Sequence, residues 1–146
     1  MSDSRYKHEV PALDLSSLAR AIGQLESAIQ SWAEKPTDTL IRDAVIQRFE
    51  FTYELSIRTL RRYLRSIAAS EDEIDTLSFK ELIRHANELR LLRGDVLEWG
   101  DFRQARNDTV HTYSEVRAME VAVTARDFAR EVRILFDNLS RRLSGE

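Results

Sequence analysis

Between Ile41 and Ile67 the chain places an apolar residue every three or four positions without interruption: Ile41, Val45, Phe49, Tyr53, Ile57, Leu60, Leu64 and Ile67. A strand would need strict alternation, so this period commits the segment to an α-helix with one buried stripe. At a rise of 1.5 Å per residue such a helix is about 40 Å long. A stripe of that length is covered only by other helices of comparable length, which excludes most folds. Two further segments meet the requirement. Leu15, Leu18, Ile22, Leu25, Ile29 and Trp32 form one stripe, and Val121, Ala125, Phe128, Val132, Leu135 and Leu139 form another. The 2 prolines and 4 glycines among 146 residues are too few for an all-β chain built on tight turns.

Punctuation divides the rest. Residues 1–10 are polar and aperiodic and read as a flexible tail, leaving 11–146 as one helical domain. Lys35-Pro36-Thr37-Asp38 ends the first helix, with Thr37 or Asp38 available to cap the second, expected from about 39 to 68. Ser70 to Leu77 is acidic and reads as a loop. Ser78-Phe79-Lys80-Glu81 has the form of a capping box, opening a helix that should run to Arg93-Gly94, where glycine supplies a left-handed stop. Asp95 then caps a shorter helix carrying Val96, Leu97, Trp99 and Phe102. The expected architecture is all-α, an antiparallel four-helix bundle with an additional short helix.

With no cysteine and three scattered histidines, neither a thiolate nucleophile nor a metal or other cofactor is expected. No apolar run approaches the roughly 18 residues of a membrane span, and the N-terminal segment lacks the apolar core of a signal peptide, so a cytoplasmic protein without membrane contact is expected. The net charge of −3 argues against coating nucleic acid by bulk electrostatics. Of 22 basic residues, however, only Lys7, Lys35 and Lys80 are lysines. Arg58, Arg61, Arg62 and Arg65 share one face of the second helix with no acidic residue between them. That face reads either as solvated helix surface or as a surface for RNA or an acidic partner.

The densest chemistry lies in Arg106-Asn107-Asp108-Thr109-Val110-His111-Thr112-Tyr113, which gathers a fixed cation, an amide, an imidazole and a phenol. Thr112-Tyr113-Ser114-Glu115 has capping-box form, so the last helix is expected to start with Thr112 as its cap. A helix N-terminus attracts phosphate and favours a neutral imidazole, which places His111 as a general base and Arg106 as a stabiliser of phosphorane charge. In an unbroken helix Arg106 and His111 would be about 140° apart, and His111 and Tyr113 about 200° apart. A shared site therefore needs a break at Thr112 or completion by a second copy. Arg-x4-His alone is expected by chance about 0.4 times in such a chain, and about 0.01 times once Tyr is required two positions after the His.

The combination Arg106-Asn107-x3-His111-x-Tyr113 resembles the Arg-x4-His-x-Tyr signature of the HEPN superfamily. Gln47-Arg48-Phe49-Glu50-Phe51-Thr52-Tyr53-Glu54-Leu55 is similar to its HepT-like, or nucleotidyltransferase substrate-binding, branch, with Ile57 where that branch has tryptophan. The resemblance implies a four- to five-helix bundle that forms a homodimer and is paired with an MNT-type nucleotidyltransferase antitoxin. It implies further that Arg106 and His111 cut RNA without metal, that Asn107 supports them, and that transfer of AMP to Tyr113 silences the toxin. Other members of the branch are non-catalytic substrate-binding subunits. Trp99 and Phe102 read as core or dimer-interface residues rather than base-stacking platforms, and with Val96 and Leu97, crowded against the motif, they place the 95–113 region at or near the expected two-fold interface.

Overall fold

The computed structural model describes residues 13–145, so the expected tail over residues 1–10 lies outside the described residues. Helix α1 spans Ser16–Glu34 and buries Leu18, Ile22, Leu25 and Trp32 before Pro36 stops it. Helix α2 spans Thr39–Ile67. Of its two candidate caps Asp38 takes the role, its Oδ1 accepting from the N–H of Leu40 at 2.9 Å and of Ile41 at 3.1 Å. The α2 stripe is core from Val45 to Leu64, while Ile67 at the helix end is exposed.

Three local expectations need correction. Ser70 to Leu77 is not all loop, because Glu71–Asp75 forms a one-turn helix, α3, which buries Ile74. One apolar residue in one turn leaves no period to read, and three acids in the first turn suit the positive helix end. Helix α4, Phe79–Glu88, opens with the expected capping box but ends six residues before Gly94. Its left-handed stop is Arg90, at φ 60°. Leu91 N–H bonds to Ala86 O at 3.0 Å and Arg90 N–H to Asn87 O at 2.9 Å, which is the Schellman pattern, with buried Leu91 as its apolar contact. Gly94 serves a different need: a Cβ there would lie 2.5 Å from Glu98 Oε1 and 3.3 Å from Glu131 Cδ.

Helix α5, Val96–Asp108, is capped by Asp95 as expected and runs into a 3₁₀ turn, Thr109–His111. Helix α6, Glu115–Leu143, begins at Ser114, whose Oγ accepts from Arg117 N–H. Thr112 is therefore not the cap. Its hydroxyl is spent on Thr109 O at 3.1 Å, inside the turn.

Side-chain pairings give the topology. Arg48 to Gln24 and Thr52 to Ala21 run α1 and α2 antiparallel. Arg133 with Glu26 and Arg126 over Trp32 do the same for α6 and α1. Trp99 with Glu131, and Asp108 with Arg117, set α5 antiparallel to α6. The antiparallel bundle is thus α1, α2, α5 and α6, and α4 packs beside it on α5 and α2. The short helix that carries the motif is a bundle member. No helix among the described residues is long and apolar enough to cross a membrane.

At the centre Phe49, Tyr53, Trp99, Phe102 and Phe128 form an aromatic cluster with centroids 5.3–6.4 Å apart, several edge to face. Beside it lies Glu131, a buried carboxylate on the core side of α6. Its Oε2 accepts from the N–H of Gly94 at 2.8 Å, of Arg93 at 3.1 Å, and from Trp99 Nε1 at 3.0 Å. Glu131→Ala would orphan all three donors at about 1–3 kcal/mol each, so a loss of at least about 3 kcal/mol is expected. The measurement is the urea midpoint at unchanged slope. Glu131→Gln, which keeps an acceptor oxygen, should lose less.

Candidate functional site

Arg106 lies in the last turn of α5 and reaches across to α2. Its Nε donates to Glu54 Oε1 at 2.7 Å, Nη2 donates to the same oxygen, and Glu50 Oε2 is 3.7 Å from Nη2. The hydrogen bond that Arg106 donates to Glu54, ahead of every other influence, raises the guanidinium pKa above its ordinary value. Buried Tyr53, between the two glutamates in sequence, has its phenol pushed up to about 12 by burial and stays neutral at any ordinary pH.

The chain then tightens. Thr109 Oγ1 donates to Arg106 O at 2.8 Å, Thr112 Oγ1 to Thr109 O, and Ser114 N–H to His111 O at 3.2 Å, so the turn satisfies its own backbone. At its exit Arg42, a buried α2 residue, bonds Glu115 Oε2 at 2.6 Å and Asp43 Oδ1 at 2.9 Å. The turn is gripped at both ends and presents its middle to water: Asn107, Val110, His111 and Tyr113 are exposed, Tyr113 at 86%.

The chain therefore brings only part of the motif together. The rings of His111 and Tyr113 meet edge to face, centroids 6.2 Å apart. Among the described residues no hydrogen bond or ion pair joins Arg106 to either; its partners are Glu54 and Glu50. The break needed for a shared site exists between Asp108 and Glu115 and includes Thr112, with the helix cap two residues later than expected.

The arginine face is less free than the sequence suggests. Arg65 pairs with Glu71 at 2.9 Å and Asp75 at 3.1 Å, and Arg61 Nη1 donates to Ile74 O at 3.3 Å. Helix α3 supplies the counter-charges missing along α2. Arg58 and Arg62 remain exposed, with no ion pair among the described residues. The interface expectation also changes in its particulars. Trp99 and Phe102 are fully buried in the core, Val96 is half-buried, and only Leu97 is exposed. The apolar surface beside the motif comes instead from Val110, Tyr113 and the α6 stripe Val116, Met119 and Val123. A groove of about 1020 Å³ between α5 and α6 is walled by more acids, among them Asp95, Glu98, Asp101 and Glu120, than the arginines Arg93, Arg117 and Arg130 offset, a surplus that disfavours phosphate.

Residues 13–141 match the family described as nucleotidyltransferase substrate binding protein like. A probable ribonuclease HepT of Haemophilus influenzae is 37% identical over 139 residues, covering 89% of this chain and 94% of the relative. The chain belongs to the HepT-like nucleotidyltransferase substrate-binding family. A solved Haemophilus influenzae structure, described as the fold of a substrate binding domain of a nucleotidyltransferase, superposes with a TM-score of 0.81 at 31% identity. It covers 87% of this chain and 99% of its own. A Thermus thermophilus structure gives 0.54 at 33% identity over 82% and 98%.

The motif does not point to Glu54, Glu50, Arg42 or Glu115. The signal in the sequence is the spacing of Glu50 and Glu54 one turn apart on either side of an aromatic of the apolar stripe. Arg42→Met, which keeps an apolar stem, is expected to speed amide exchange severalfold over residues 112–118 while leaving α1 unchanged. The hydrogen bond from Arg42 holds the Glu115 carboxyl below its ordinary value. The pair is therefore fully formed above the usual glutamate range and is lost as pH falls through the lowered value. The same loosening should appear in the wild type at acid pH.

Proposed function

We propose that this HepT-like chain is a metal-independent endoribonuclease, the toxin of a pair whose antitoxin is an MNT-type nucleotidyltransferase. The observation that carries the reading is the exposed His111–Tyr113 pair on a turn that directly follows Arg106. In this reading His111 removes the proton of a ribose 2′-hydroxyl, that oxygen attacks the adjacent phosphorus, and the 5′-oxygen leaves with a proton. Arg106 offsets the charge gained by the phosphorane, and Asn107 offers an amide to the same phosphate. The exposure of the Tyr113 phenol supports its role as acceptor: its oxygen attacks the α-phosphorus of ATP and pyrophosphate leaves. The added phosphate and adenosine then stand where RNA phosphate must sit.

The name of the Haemophilus relative supports the nuclease, and the family description supports a nucleotidyltransferase partner. A second reading, an inert substrate-binding or adaptor subunit, is favoured by one observation: Arg106 is already paired with Glu54 and Glu50. His111→Ala and Arg106→Ala should each lower RNA cleavage in chelator by about 10²–10⁴-fold. Tyr113→Phe should leave cleavage intact and block silencing by the nucleotidyltransferase with ATP, with no added mass by mass spectrometry. Cleavage that survives His111→Ala rejects the assignment, and unmodified wild type that cuts no RNA selects the adaptor.

The cytoplasmic protein is, in the same reading, a homodimer that brings two motif turns together through Val110, Val116, Met119 and Val123, leaving Tyr113 accessible, with Arg58 and Arg62 extending the RNA or partner surface. Val116→Asp with Met119→Asp should convert a micromolar dimer to monomer in sedimentation. A wild-type monomer would reject this interface.

A further inference from the structure

Glu50 and Glu54 lie in the α2 segment that carries part of the family resemblance, and the Arg-x4-His-x-Tyr pattern gives them no role. One turn apart on a helix, two carboxylates repel each other unless a cation stands between them. Arg106 is that cation. It commits its Nε and Nη2 to Glu54 Oε1 and holds Glu50 Oε2 at 3.7 Å, while its Nη1 bonds to no group among the described residues. An ion pair this exposed contributes little to folding. What two N–H donors on one oxygen do accomplish is to fix the plane of the guanidinium, which is otherwise free over many rotamers.

We propose that Glu54 is the positioning residue for Arg106, gripping one edge of the guanidinium so that the Nη1 side faces the scissile phosphate. Glu50 adds charge without a hydrogen bond. The inference rests on the ribonuclease reading above. It has a built-in cost: the two glutamates and one arginine carry a surplus negative charge, so orientation is gained against RNA affinity. The competing role, a carboxylate that occupies the phosphate's own place, predicts the opposite effect on turnover.

The first test does not need activity. The Arg106 Nε–H signal in ¹⁵N NMR of the full chain should be slowly exchanging in the wild type, lost in Glu54→Ala, and retained in Glu54→Gln, whose amide oxygen still accepts. A signal indifferent to Glu54→Ala overturns the proposal. In cleavage assays Glu54→Ala should lower kcat by about 10- to 100-fold while KM falls or holds, since the change removes negative charge beside the substrate. Glu54→Gln should recover most of kcat, a rescue that a general structural lesion would not show. In an Arg106→Ala background Glu54→Ala should cost nothing further. A kcat that rises in Glu54→Ala, or losses that add in the double variant, overturn the proposal. If the wild type cuts no RNA, the ribonuclease reading fails, and the Nε–H signal still decides whether Glu54 holds Arg106.

Discussion

A single carboxylate oxygen inside the bundle governs how the motif helix is hung. An ionised carboxylate taken out of water is costly, and among the described residues Glu131 faces no basic side chain at hydrogen-bonding distance. Three N–H groups aimed at its Oε2 offset that cost, and they come from separate places: the Arg93 and Gly94 backbone, just ahead of α5, and the indole of Trp99 in its first turn. The start of α5 is thereby tied to the middle of α6. Once Trp99 is held, its ring closes the aromatic cluster against Phe102, Phe128 and Tyr53, and α5 has one direction left to run. About two turns further on, that direction delivers Arg106 opposite Glu54. Gly94 is part of the same device, because a Cβ there would crowd the Glu131 carboxyl carbon at 3.3 Å, a group its three N–H donors hold in place.

The far end of the motif is anchored by different means. Arg42 couples α2 to the first residue of α6, and Asp108 meets Arg117 across the turn at 3.5 Å. Between these anchors the two threonine hydroxyls close the turn by local hydrogen bonds, while the turn rests against α2. A segment built this way keeps its backbone ordered while exposing its side chains, which suits groups that must meet a large partner.

The long helices were legible because their stripes persist over several turns, and the caps at Asp38, Ser78 and Asp95 because each precedes a periodic run. What failed to show was decided by tertiary contact. Arg90 takes the left-handed stop because Leu91 must turn into the core, which no local preference for glycine at position 94 could outweigh. Thr112 and Ser114 are equivalent as caps on paper, and the 3₁₀ turn claims Thr112 first. Trp99 and Phe102 are readable from the sequence as either core or interface, because α5 is too short for its pattern to decide, and they fill the centre of the bundle. Glu131 did leave a trace: it stands three residues after Phe128 and four before Leu135, a core register for an acidic side chain. Of the site, the motif residues were readable from spacing and resemblance, whereas the α2 carboxylates that hold Arg106 come from a helix more than fifty residues away in sequence.

Charge is distributed so that phosphate recognition, if it follows the proposed reading, is local. The chain carries a net −3, the α5–α6 groove is acidic, and α3 pairs Arg65 with Glu71 and Asp75 and accepts a hydrogen bond from Arg61 at the far end of α2. Arg58 stands one helical turn beyond Glu54, and Arg62 one turn further, both exposed. Their positive charge lies beside the glutamate–arginine cluster and not on it, where it can offset the surplus negative charge of Glu50 and Glu54 without loosening their hold on Arg106. Only a ligand that spans from the motif turn to this stretch of α2 gains from both. A polyanion several nucleotides long meets that condition, and a free phosphate does not.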